Sequence, residues 1–117
     1  MKATTFGKYL RTLRIKKEIL LKEMAEVLGI SSAYLSALEL GKKAISESLV
    51  EKIIEKYELN AYEASELKSA ASVSQPNVKI DLVGKSNEER EMVVSFARKY
   101  ESLTDAQREQ MRKIMEI

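Results

Sequence analysis

The sequence predicts an all-α fold: five short helices in about the first 70 residues, then an appendage of one short strand and two more helices. Three observations point there. Glycine and proline are scarce, four and one in 117 residues. Apolar residues recur at three- and four-residue spacing over most of the chain. Ser, Thr or Asn stands just ahead of most of these stretches, where an N-cap belongs. With 44% hydrophobic and 32% charged residues the chain can bury a core, and its length excludes two full-sized domains.

The first helix is expected over Thr5–Lys17, with Phe6, Leu10 and Leu13 on one stripe and Thr4 or Thr5 as N-cap. A second, Leu21–Leu28, buries Met24, Ala25 and Leu28 and stops at Gly29, the residue type that best tolerates a left-handed helix end. Ser31 can cap a third reaching Leu40, with Leu35 and Leu38 inward and Gly41 ending it. Ser46 caps a fourth through Tyr57. Asn60 with Glu63 makes a capping-box pattern for a fifth, Ala61–Ala71.

The stretch from Ser69 to Asn77 is small and polar and contains the only proline, Pro76, which is the composition of a boundary. Residues 1–72 are therefore read as one domain, 73–77 as a linker and 78–117 as the appendage. Val78, Ile80 and Leu82 alternate with Lys79 and Asp81 before Gly84, a period-two pattern that suggests a strand. No partner strand is legible elsewhere, so its backbone groups need an edge from a second copy. Ser86 with Glu89 and Thr104 with Gln107 form capping boxes for two last helices. Their stripes are Met92, Val93, Phe96, Tyr100 and Leu103, then Met111, Ile114 and Met115. Such short helices are marginal alone.

Composition also limits chemistry. The absence of cysteine and histidine removes disulfides, thiolate sites, the commonest metal ligand and the commonest general base. The paired Glu88 and Glu89 have no histidine or glycine-rich pocket beside them, and helix capping accounts for Glu89. Neither catalysis, nor a metal site, nor a cofactor is expected. No apolar run is long enough for a membrane span or a signal peptide, so the expected location is cytoplasmic. The formal net charge is +2. Residues 1–60 hold eleven Lys/Arg against eight Glu, while residues 61–117 hold nine against ten Asp/Glu, so the slight basic bias sits in the first part.

The informative stretch is Leu21 to Lys42. Two short helices are joined by a tight turn built on Gly29, Ala25 is small where they cross, and Ile30 and Leu35 are apolar where the second must bury. A rigidly fixed second helix with an exposed face is what major-groove entry requires. These residues, with the opening Phe6-Gly7-Lys8-Tyr9-Leu10-Arg11-Thr12-Leu13-Arg14, Leu28-Gly29-Ile30-Ser31, Leu35-Ser36 and Glu39-Leu40-Gly41-Lys42, resemble the Xre family of lambda-repressor-like helix-turn-helix domains over about half the chain.

The resemblance implies a five-helix DNA-binding domain in a transcription regulator. It implies an ion pair between Arg14 and Glu39 that holds the first helix against the recognition helix. It places Ser32, Ala33, Tyr34, Ser36 and Ala37 toward the bases. The serines can donate or accept at several base edges, the alanines can touch a thymine methyl, and Tyr34 can reach a phosphate or a base. Ser31, Lys42, Lys43, Lys16 and Lys17 are the expected phosphate contacts. The set lacks the Arg, Asn and Gln of bidentate readout, which leaves shape and dimer spacing a larger share of specificity. Leu20-Leu21 stand where many members carry Thr-Gln for a cap and a phosphate contact, and Leu40 stands in place of a common asparagine. Fewer phosphate contacts and weaker binding per monomer are expected.

Together these readings predict a homodimeric repressor on double-stranded DNA, at a pseudo-palindromic operator with recognition helices roughly 34 Å apart. Its dimer interface would be Val78, Ile80, Leu82, Met92, Phe96, Tyr100, Met111, Ile114 and Met115. Family members with C-terminal extensions are often encoded beside a toxin or a metallopeptidase. The alternative expectation is accordingly an antitoxin that binds such a partner and represses its own operon.

Overall fold

The computed structural model describes residues 2–117. It contains α1 (Thr5–Lys17), α2 (Leu21–Leu28), α3 (Ser32–Glu39), α4 (Glu47–Lys56), α5 (Ala61–Val73), α6 (Asn87–Lys99), a single 3-10 turn at Tyr100–Ser102, and α7 (Asp105–Met115). The chain divides into two units, one ending at Val78 and the other running Lys79–Ile117.

Local chemistry sets the helix ends of the first unit. Thr4, not Thr5, caps α1, its hydroxyl accepting from the Gly7 N–H, and Ser31, Ser46 and Asn60 accept from the N–H three residues on at α3, α4 and α5. Asn60 and Glu63 complete the expected capping box in both directions. Each such cap is worth about 1 kcal/mol. Gly29 closes α2 at φ 72°, and its N–H and that of Ile30 return to the Glu26 and Ala25 carbonyls at 3.1 and 3.0 Å.

The caps lay five amphipathic faces around one core. Phe6, Leu10, Met24, Leu28, Leu35, Leu38, Ile53 and Leu67 are fully buried, each contributing about 1.5–3 kcal/mol through apolar burial. Gly7 is buried where α1 crosses the end of α3, and a Cβ there would stand 2.3 Å from the Glu39 carbonyl oxygen. The absent side chain is what lets the two helices approach. The Thr4 N–H and hydroxyl both donate to that same carbonyl, at 3.0 and 2.9 Å.

Residues beyond Ala71 belong to this packing. α5 continues to Val73, and the buried Ser74 hydroxyl accepts from the Phe6 N–H at 3.0 Å while donating to the Ala70 carbonyl at 2.7 Å. The Gln75 amide binds Ile45 twice, accepting from its N–H and donating to its carbonyl, both at 2.8 Å.

The second unit differs from expectation in one element. The strand expected at Val78, Ile80 and Leu82 is not formed; among the described residues there is no strand. A lone extended segment has nothing to accept or donate its ladder hydrogen bonds, so its backbone stays solvated, and Val78 and Ile80 lie exposed. The segment bends instead at Gly84, where the Asp81 carboxylate accepts from the Val83 N–H and the Leu82 carbonyl from the Lys85 N–H. Thr104 and Gln107 form a reciprocal capping box on α7. Ser86 caps α6 through the Glu89 N–H alone, without the return bond of a full box. Neither α6 nor α7 contains a buried residue.

Candidate nucleic-acid interface

Anything α3 presents outward depends on how firmly its inner face is held. Leu35 and Leu38 are fully buried, and Glu39, one turn after Leu35, is only 4% exposed. Its carboxylate takes a two-pronged hydrogen bond from Arg14, Nη1 to Oε2 at 2.6 Å and Nη2 to Oε1 at 2.9 Å, while Nη1 also lies 3.4 Å from the Met24 sulfur. Two parallel, charge-assisted bonds fix both the separation and the rotation of a helix pair. One buried contact therefore ties α1, α2 and α3 together. The Lys52 ammonium adds a bond to the Leu28 carbonyl at 2.9 Å, satisfying the end of α2 just ahead of the turn.

With Leu35, Leu38 and Glu39 inward, helical spacing turns Ala33 and Ala37 directly away from the core and Ser32, Tyr34 and Ser36 to its flanks. Ala33 and Tyr34 are exposed, Tyr34 by 43%, and Ser32, Ser36 and Ala37 are half-buried. Neither serine hydroxyl enters a side-chain hydrogen bond among the described residues, so both remain available to a ligand. Ser31 is exposed, but its hydroxyl is already the cap of α3, accepting from the Tyr34 N–H at 3.0 Å.

The cations fall into two places. Lys42 and Lys43 are exposed in the turn directly after α3, held there by the Lys42 N–H on the Ala37 carbonyl at 3.0 Å. They extend the α3 surface. Lys16 and Lys17 are exposed in the last turn of α1. Lys16 also lines an open groove of about 770 Å³ between α1 and α5, with Thr12, Tyr62 and Glu66.

The start of α2, at Leu20-Leu21, has no side-chain cap. Leu20 is the N-cap residue, is 68% exposed and supplies no side-chain acceptor; only the return half of a capping box is present, from the Leu20 N–H to the Glu23 carboxylate at 2.9 Å. The first N–H groups of α2 are left to solvent.

Two phenols near this frame titrate above the ordinary tyrosine value. Tyr9 is raised chiefly by burial and further by Glu63 and Glu66, and its hydroxyl donates to the Glu63 carbonyl at 3.1 Å. Tyr57 is raised chiefly by burial, with the Arg14 charge opposing and Glu23 adding; its hydroxyl is buried with no hydrogen-bond partner among the described residues. Sequence reasoning missed the carbonyl contacts of Lys52 and Thr4. A surface lysine or threonine bound to a distant carbonyl leaves no periodic mark.

Among the described residues no cluster of acidic side chains could hold a metal ion, and no helix is long and apolar enough to cross a membrane. Residues 10–63, which include the whole α2–turn–α3 frame, match the model of the helix-turn-helix family. No curated protein and no solved structure matches the chain.

Proposed function

We propose that residues 10–63, which match the helix-turn-helix family model, are a DNA-binding domain of the lambda-repressor-like, Xre type, and that this protein is a homodimeric repressor acting in the cytoplasm on a pseudo-palindromic operator. The observation that carries the reading is the fixed α3, gripped by the Arg14–Glu39 bond while Ala33, Tyr34 and the unengaged serines face outward. In this reading α3 enters the major groove, Ser32, Ala33, Tyr34, Ser36 and Ala37 meet the base edges, and Lys42 and Lys43 meet phosphates on the flank. Ser31 contributes its backbone and the positive end of α3 rather than a free hydroxyl. Lys16 and Lys17, exposed in the last turn of α1, meet further phosphates.

A face of small residues reads few hydrogen-bond patterns, so one half-site binds weakly and discrimination comes from paired half-sites and DNA shape. The test is fluorescence anisotropy with DNA from the region upstream of the protein's own gene and with random-sequence DNA, each at two salt concentrations. Selective binding that weakens as salt rises, with a slope of about −0.9 per phosphate contact, is expected. Failure to bind either DNA at low salt would overturn the reading. It would favour the other expectation, a module that binds a toxin or metallopeptidase.

A further inference from the structure

The loop between α3 and α4 carries Lys42 and Lys43, and its backbone is held by a residue far along the chain. The start of the loop is tied to α3, the Gly41 and Lys42 N–H groups donating to the Leu38 and Ala37 carbonyls at 3.2 and 3.0 Å. Ser46 then begins α4 as its cap. Between these, among the described residues, the backbone of Lys43–Ile45 hydrogen-bonds to a single partner, the side-chain amide of Gln75. Its Oε1 accepts from the Ile45 N–H and its Nε2 donates to the Ile45 carbonyl, both at 2.8 Å. Two paired strand residues make the same exchange through their backbones.

We propose that Gln75 is a positioning residue for DNA binding: it holds the loop after α3 in the conformation that presents Lys42 and Lys43 to phosphates. The inference deepens the regulator reading above and rests on it. The buried Ile45 side chain, 6% exposed, fixes where the end of the loop lies, while Lys42, Lys43 and Ala44 are exposed. The two amide bonds fix how the Ile45 peptide is turned, where a single bond would leave a hinge.

The other end of the loop is braced by the neighbouring residue. Gly41 sits at φ 74°, and a Cβ there would stand 2.8 Å from the Thr4 Cγ2 and 3.5 Å from the Ser74 carbonyl oxygen. Ser74 is itself pinned by the Phe6 N–H and the Ala70 carbonyl. Consecutive residues, Ser74 and Gln75, therefore stand against both ends of the loop. Both lie outside the residues 10–63 that match the helix-turn-helix family, just before the first unit ends at Val78. Lysines carried on a backbone that is already ordered lose less freedom when they meet DNA, so Gln75 raises affinity without touching it.

The test uses the full chain and two variants. Gln75→Ala removes both bonds, and Gln75→Met removes them while keeping an unbranched side chain of similar length, so that lost packing is told apart from lost bonding. Amide hydrogen exchange followed by NMR reads the brace without DNA. In both variants the Ile45 amide is expected to lose about tenfold or more in protection while the Leu35 and Leu38 amides keep theirs. Fluorescence anisotropy with the upstream DNA, at a temperature where thermal melts show the variants folded, reads the consequence. Kd is expected to rise about three- to tenfold. In a chain already carrying Lys42→Ala and Lys43→Ala, the same Gln75 substitutions should change Kd by less than about twofold, because no lysines remain to be positioned.

An Ile45 amide that stays protected in both variants would overturn the proposal. So would an unchanged Kd, or a Gln75 penalty undiminished in the absence of the lysines, which marks a general loss of stability instead. If the parent chain binds no DNA, the regulator reading fails and this role falls with it. If the parent binds and the variants bind equally well, the regulator reading stands and the role of Gln75 alone is lost.

Discussion

Replacing Arg14 by methionine isolates the contact on which the DNA-reading frame depends. Methionine keeps an unbranched aliphatic side chain and removes the guanidinium, leaving the carboxylate of Glu39, a residue only 4% exposed, without its two donors at 2.6 and 2.9 Å. Breaking a buried pair from one side costs roughly 3–5 kcal/mol, because the surviving charge keeps its desolvation and loses its compensation. For a domain of this size each kcal/mol moves the melting temperature by about 4–8 °C, so a fall of about 12–40 °C is expected. Removing both charges is a different matter. Arg14→Met with Glu39→Leu substitutes apolar volume for the pair and should return stability to within about 1–2 kcal/mol of the parent. A double-mutant cycle by urea unfolding then yields a coupling of at least about 2 kcal/mol. If the single variant loses under about 1 kcal/mol, or the two substitutions simply add, the pair does not hold the frame as argued. At low temperature, where the double variant remains folded, its DNA affinity should stay within about threefold of the parent's, since neither side chain touches DNA in this reading.

Four further outcomes follow from the same geometry. Gly7→Ala puts a methyl 2.3 Å from the Glu39 carbonyl oxygen, so helices α1 and α3 must separate; a loss of about 3 kcal/mol by urea unfolding is expected, and a neutral result would show that the crossing is not tight. Tyr57→Phe removes a buried hydroxyl that has no partner among the described residues and should be neutral or stabilising by up to about 1 kcal/mol, whereas Tyr9→Phe, which breaks a bond to Glu63, should cost about 1 kcal/mol. Because both phenols are raised on folding, their contribution is whole below about pH 10 and is lost as pH climbs through the folded values, so alkaline melts of the double phenylalanine variant should decline less steeply than the parent's. Lys42→Ala with Lys43→Ala should weaken binding to specific and random DNA alike and make the salt slope shallower by about two per protomer; an unchanged slope would remove these lysines from the phosphate contacts.

How much was legible in advance divides along range of interaction. Every helix but α2 was readable from a local device at its start: a hydroxyl or amide three residues from the N–H it caps, at Thr4, Ser31, Ser46, Asn60, Ser86 and Thr104. The turn at Gly29 and the inward set Met24, Ala25, Leu28, Leu35 and Leu38 were readable by the same logic of short spacing. The Arg14–Glu39 bond spans 25 residues and came only through family resemblance, which the geometry then gave its distances.

Spacing along the chain therefore determined the helices and the helix-turn-helix frame, and composition alone excluded a histidine- or cysteine-based site. What only the tertiary structure decided are contacts between residues far apart. Ser74 binds Phe6 across 68 positions and Gln75 binds Ile45 across 30, drawing into the first unit a stretch whose small, polar composition reads as a linker. Val78 to Leu82 stay unpaired for the opposite reason: alternation marks a segment able to form a strand, but a strand exists only where another edge meets it. Periodicity reports which face of an element is apolar, and the fold alone reports what, if anything, covers it.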